Sequence, residues 1–195
     1  MKKIFLIIFL FLDNAYANIQ IQTIVKVDEK IITNIDIINE INVIKTIFEN
    51  FPKEKKTIED LAVNNLINEI IKKNEIIKNN IIIQNNLIDI ELNKILKNIS
   101  NQNINDKILK LIKNKIELEI QWNTLISRKF SWKVNINMKE IDEKINKNKS
   151  ISKSEKDLLD EKDKLINFEK NKKLQIYSNN YLNSIKSNSL IKFYK

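Results

Sequence analysis

The sequence predicts a mainly α protein: an orthogonal bundle of five to six helices, with a small β-sheet joining N-terminal strands to a C-terminal one. Three observations predict it. Apolar residues recur three and four positions apart over most of the chain, which is the spacing of one helical face. Runs of β-branched residues occur near the two ends of that stretch. Glycine is absent and proline occurs once, at Pro52, so breaks between elements fall to asparagine, aspartate and Lys/Ser-rich stretches. With 195 residues and 43% hydrophobic content, the chain has material for one core. It is read as a leader, 1–17, and a single domain, 18–195, with an N-terminal part, 18–149, and a C-terminal helix and strand, 153–195.

The leader is predicted from Met1-Lys2-Lys3, the unbroken apolar run Ile4 to Leu12, and Ala15-Tyr16-Ala17, a small-x-small pattern that signal peptidase accepts after Ala17. Nine apolar residues fall well short of the ~20 that a membrane-spanning helix requires. Every later apolar run is broken by Lys, Asn, Asp or Glu, so the mature chain is expected to be soluble, without a stable membrane span, and periplasmic or secreted.

Ile19 to Val27 and Ile31 to Thr33 read as two short strands around a turn, with Asp28 the residue best suited to the turn conformation. Thr33 followed by Asp36 reads as a capped helix start, giving a helix from about Asn34 to Phe48 that Phe51-Pro52 stops. Thr57 and Asp60 repeat the cap pattern. Val63, Leu66, Ile67, Ile70 and Ile71 then predict a second helix ending near Lys78 to Asn80, where asparagine replaces the usual terminal glycine.

An extended link, Ile81 to Ile83, leads to Asn85 or Asn86 as the cap of a third helix carrying Leu87, Ile88, Leu92, Ile95 and Leu96. A fourth helix spans about Asp106 to Phe130, with a broad apolar stripe that includes Ile112, Ile116, Trp122 and Leu125. Val134 to Asn137 is a second link and Met138 to Ile145 the start of a fifth helix. Asn146 to Lys156 has linker composition. A helix over about Glu155 to Ser187 and a strand over Ser189 to Tyr194 complete the chain, and the strand is a partner for the N-terminal pair.

Composition excludes much familiar chemistry. Without glycine there is no phosphate loop or dinucleotide fingerprint, and without His or Cys there is no Ser-His-Asp or Cys-His pair and no ordinary zinc site. No cofactor is expected. Asp36, Asp60, Glu140 and Asp142 are read as helix caps and polar-face residues rather than catalytic groups. The net charge of +9 is spread along the chain as lysines interleaved with Asp and Glu, so nucleic acid is not the expected partner.

Three blocks in order resemble SurA-like periplasmic chaperones, whose peptide-binding module is related to that of trigger factor. The first is IVKVDEKIITNIDI, Ile24 to Ile37, similar to the strand-turn-strand and helix start that opens such proteins. The second joins LAVNNLINEIIKKNEIIKNNIII to IELEIQWNTLISRKFSWKVNINMKEIDEKI, Ile116 to Ile145, similar to the long helix and its continuation. The third, KLQIYSNNYLNSIKSNSLIKFYK, resembles the family's C-terminal helix and final strand.

The family normally carries parvulin-type isomerase domains between the second and third blocks. Here that interval is Asn146 to Lys156, too short for one and lacking the histidines of its active site. The resemblance therefore implies an ATP-independent holdase that binds unfolded outer-membrane or other exported proteins without prolyl isomerase activity. Aromatic residues near element ends are the expected client contacts: Phe48, Phe51, Trp122, Phe130 and Trp132, the last pair beside Arg128, Lys129 and Lys133. An open sheet edge is a further expected contact for extended clients. The rival expectation is a secreted helical module that binds one dedicated partner, and a homodimer is left open.

Overall fold

The computed structural model describes residues 20–48, 51–99, 104–147 and 155–194. The expected leader, 1–17, and most of the expected linker lie outside the described residues. The described residues are mainly helical, with six α-helices and a three-stranded antiparallel sheet among them.

The sheet has the order β2-β1-β3, with β1 (Thr23–Val27) between β2 (Lys30–Thr33) and β3 (Ile191–Phe193). Asp28 makes the first turn at φ 51°, a left-handed conformation that aspartate tolerates better than most residues. Its backbone N–H donates to the Leu190 carbonyl at 2.8 Å, and its carboxylate accepts from the Leu190 N–H at 2.9 Å. The turn that closes β1 onto β2 therefore also fixes the approach of β3. Register Val25↔Phe193 and Val27↔Ile191 brings the C-terminal strand onto the hairpin, as the sequence predicts.

Helix α1 (Asn34–Ile47) starts on a complete capping box: Thr33 Oγ1 accepts from the Asp36 N–H, and Asp36 Oδ2 accepts from the Thr33 N–H. Helix α2 (Lys55–Lys78) starts differently from the sequence reading. Its N-cap is Glu54, no side chain caps it, and the Thr57 hydroxyl donates to Glu54 Oε2 instead of accepting from Asp60. The helix begins two residues before Thr57, so Thr57 and Asp60 lie inside it. Its end follows expectation, with Asn79 at the C-cap and Asn80 at φ 50°.

Helix α3 (Asn85–Asn98) is preceded by Gln84 with no capping side-chain bond, so neither Asn85 nor Asn86 is its cap. Helix α4 (Asp106–Phe130) is capped by Asn105, whose side chain accepts from the Lys107 N–H. A single 3-10 turn, Ser131–Lys133, leads through the link to α5 (Met138–Lys147) and then to α6 (Glu155–Asn188).

Among the described residues, four apolar clusters hold these elements together. Val25, Val27 and Ile32 face Ile67 and Ile71 of α2, placing the sheet on that helix. Val43 of α1, Ile88 of α3, and Ile112 and Ile116 of α4 form a second layer. Ile44 with Ile58 and Ala62 closes the α1/α2 corner. Trp122, Leu125 and Ile126 of α4 meet Ile76, Ile81 and Leu174, joining α4 to both α2 and α6. At that junction the Trp122 Nε1–H donates to Ser178 Oγ at 2.8 Å, so the buried indole is satisfied.

Candidate functional site

A groove of about 840 Å³ is walled by β2, α1, α2, α4 and the link after α2. Its rim carries aliphatic side chains left in solvent: Ile31 is 55% exposed, Ile77 63% and Ile82 82%. Leu66, Ile70 and Leu118 continue the apolar lining inward. Such a set of branched aliphatics is a surface that costs free energy to hydrate and gains by being covered.

Polar groups occupy the floor. Lys115 Nζ lies 2.6 Å from Glu40 Oε2 and is also paired with Glu69. Asn65 Nδ2 donates to Glu40 Oε1 at 3.0 Å, so the buried Glu40 carboxylate has a partner on each oxygen. This satisfies the rule that a buried charge must be paired and hydrogen-bonded. Glu69 is less deeply set; burial raises its pKa above the usual carboxylate value, and this outweighs the opposing pull of Lys115.

β2 also brings backbone groups to the groove. Val27 and Lys30 flank the two-residue turn and pair with each other. The alternation of an antiparallel ladder then turns the N–H and C=O of Ile31 away from β1 toward the open side of β2. Thr33, the next residue of that phase, has its N–H bonded to Asp36, so Ile31 is the residue available for edge pairing.

The five aromatics singled out in the sequence do not converge. Phe48 sits exposed at the C-cap of α1, while Phe51 is half-buried against the α1/α2 corner with Lys45 Nζ 5.9 Å from its ring centroid. Trp122 is 1% exposed and belongs to the core, which removes it from the surface contacts. Phe130 is half-buried, stacked on Tyr177 with ring centroids 5.3 Å apart and set edge-on to Tyr181. Trp132 is 76% exposed, its indole N–H donating to the Lys129 carbonyl and Lys133 Nζ 4.9 Å from its ring.

The groove residues were missed because each sits in a segment already assigned to a helix face or link. The available signal was a surplus of isoleucine: Ile31 on the outer phase of a strand, Ile77 beside the buried Ile76, and Ile82 in a run of three. The carboxylates considered for catalysis have structural partners in three of four cases. Asp36 caps α1, Glu140 pairs with Lys144 at 2.9 Å, and Asp142 pairs with Lys162 at 2.7 Å.

Among the described residues no cluster of Asp and Glu is arranged to hold a metal ion, and no helix is long and apolar enough to cross a membrane. No protein-family model matches the chain, and no curated protein matches it.

Proposed function

We propose that this chain is an exported, ATP-independent holdase of SurA-like type that binds unfolded polypeptides, outer-membrane protein precursors among them, and lacks prolyl isomerase activity. The observation that carries the reading is the open groove with Ile31, Ile77 and Ile82 standing in solvent on its rim. Covering the exposed part of these three side chains is worth about 3–6 kcal/mol before the cost of ordering the guest. That scale suits reversible, sequence-tolerant capture. The Ile31 backbone pair adds main-chain hydrogen bonds that any extended segment offers.

The leader pattern of residues 1–17 supports export, and the absence of glycine supports a cycle without a nucleotide loop. Exposed Phe48 and Trp132 are accessory contacts at other corners of the body. The test is suppression of light scattering by two unrelated barrel proteins diluted from urea. The mature chain, from Asn18 onward, is expected to suppress both, and the double variant Ile77→Asp, Ile82→Asp to lose suppression while its helical circular dichroism is retained. A chain that leaves both clients aggregating is a dedicated-partner module, and the holdase reading falls.

A further inference from the structure

The groove has the opposite sign to the molecule that carries it. The chain bears a formal net charge of +9, yet the groove is lined by four carboxylates, Asp36, Glu40, Glu69 and Glu117, against two ammonium groups, Lys73 and Lys115. Two of the carboxylates are committed to the fold: Asp36 to the cap of α1, and Glu40 to Asn65 and Lys115. Glu69 and Glu117 are the remaining pair. Among the described residues the hydrogen-bond partner of the Glu69 carboxylate is Lys115, whereas a carboxylate has about four lone-pair sites to offer. Glu117 receives a long 3.5 Å contact from Gln121 Nε2.

Resting on the holdase reading of this groove, we propose that its preferred guests are extended segments in which a lysine or arginine is flanked by aliphatic residues. The guest's cation meets Glu69 and Glu117 while its apolar neighbours cover Ile31, Ile77 and Ile82.

Three arguments favour this guest over others. A carboxylate in the guest would join the like charges of Glu40 and Glu119 that already act on Glu69. A bare metal ion has no place on the floor, because the Lys115 ammonium lies between Glu40 and Glu69. A long cationic side chain meets both demands, since its methylene stem covers apolar rim while its head reaches the carboxylates. The net positive charge of the molecule disfavours approach of long basic tracts, so the selected pattern is one or two cations between greasy residues rather than a polylysine stretch.

The experiment uses three fluorescein-labelled peptides that share one aliphatic sequence and differ at a central residue pair: Lys-Lys, Ser-Ser or Glu-Glu. Binding to the mature chain is read by fluorescence anisotropy. The Lys-Lys peptide is expected to bind about tenfold more tightly than the Glu-Glu peptide at low salt, with the gap closing as ionic strength rises. Glu69→Gln combined with Glu117→Gln is expected to remove the preference, bringing the Lys-Lys and Glu-Glu peptides to within about twofold of each other. Equal binding of all three peptides overturns the charge preference and leaves the holdase reading standing. Binding of none overturns both.

Discussion

The Tyr181 hydroxyl donates a 2.5 Å hydrogen bond to Oε1 of Glu75, tying α6 to α2 across 106 positions of sequence. Asn79 Nδ2 donates to the same oxygen at 2.9 Å, and Lys129 Nζ lies 3.8 Å from it. Burial works to raise the Glu75 pKa, but the hydrogen bonds from Tyr181 and Asn79 and the nearby Lys78 and Lys129 outweigh it and hold the carboxyl below its usual value. The Tyr181 phenol is pushed well above its usual value by burial and by Glu75.

The signs of these shifts define a pH window. A depressed carboxyl stabilises the fold above its unfolded pKa of about 4.5, and that contribution is lost as pH falls through the folded value. A raised phenol stabilises it below about 10, and that contribution is lost as pH climbs above 10 toward the folded value. Tyr181→Phe is expected to cost about 1.5–3 kcal/mol at neutral pH, as for a hydrogen bond to a charged group. It should also flatten the alkaline decline between pH 10 and 11. Urea denaturation at pH 7 and across that range checks both.

Trp122 and Trp132 should report on different environments. Trp122→Phe leaves Ser178 without its donor and opens space at the junction of α2, α4 and α6, for an expected loss of about 2–4 kcal/mol. Trp132→Phe should change stability by less than about 0.5 kcal/mol. It should leave emission that is blue-shifted and poorly quenched by acrylamide, because the remaining indole is buried.

The Asp28 turn has two separable roles, a positive φ and an acceptor for Leu190. Asn keeps both, Gly keeps only the backbone freedom, and Ala keeps neither. The expected stability order is wild type and Asp28→Asn highest, Asp28→Gly next, and Asp28→Ala lowest, the last about 2 kcal/mol below wild type. Thermal melts of the three variants rank them.

The two Thr-x-x-Asp starts should respond differently to the same change. Thr33→Ala removes a capping box and is expected to cost about 1 kcal/mol. Thr57→Ala removes only an exposed hydroxyl contact to Glu54 and is expected to fall within about 0.5 kcal/mol of wild type. Equal losses at both sites would show that Thr57, not Glu54, caps α2.

What was legible in the sequence was what local chemistry decides. Thr33 and Asp36 are three residues apart and cap each other, Asp28 is the turn former in a glycine-free hairpin, and the stripe on α4 sets that helix from Asp106 to Phe130. Thr57 misled because the same local pattern is overridden when the helix starts nearly one turn earlier, at Lys55 with Glu54 as its N-cap. The groove was illegible for a different reason. Its walls come from five separate segments, and no local period distinguishes the exposed Ile77 from the buried Ile76 beside it. Among the aromatics, type alone could not separate Trp122, whose indole finds Ser178 on α6, from Trp132, whose indole bonds its own turn.

The central place of β1 has a consequence for how the molecule is made. One neighbour of β1 arrives within a few residues, but the other is drawn from a strand 162 positions further along the chain, counted from Asp28 to Leu190. Until that late segment emerges, one flank of β1 is bare and the valines beneath it lack part of their cover. Contacts between such remote stretches form slowly, since a long intervening coil must first be closed. A nascent copy interrupted before Leu190 thus resembles the sticky, half-built chains that a holdase exists to shield.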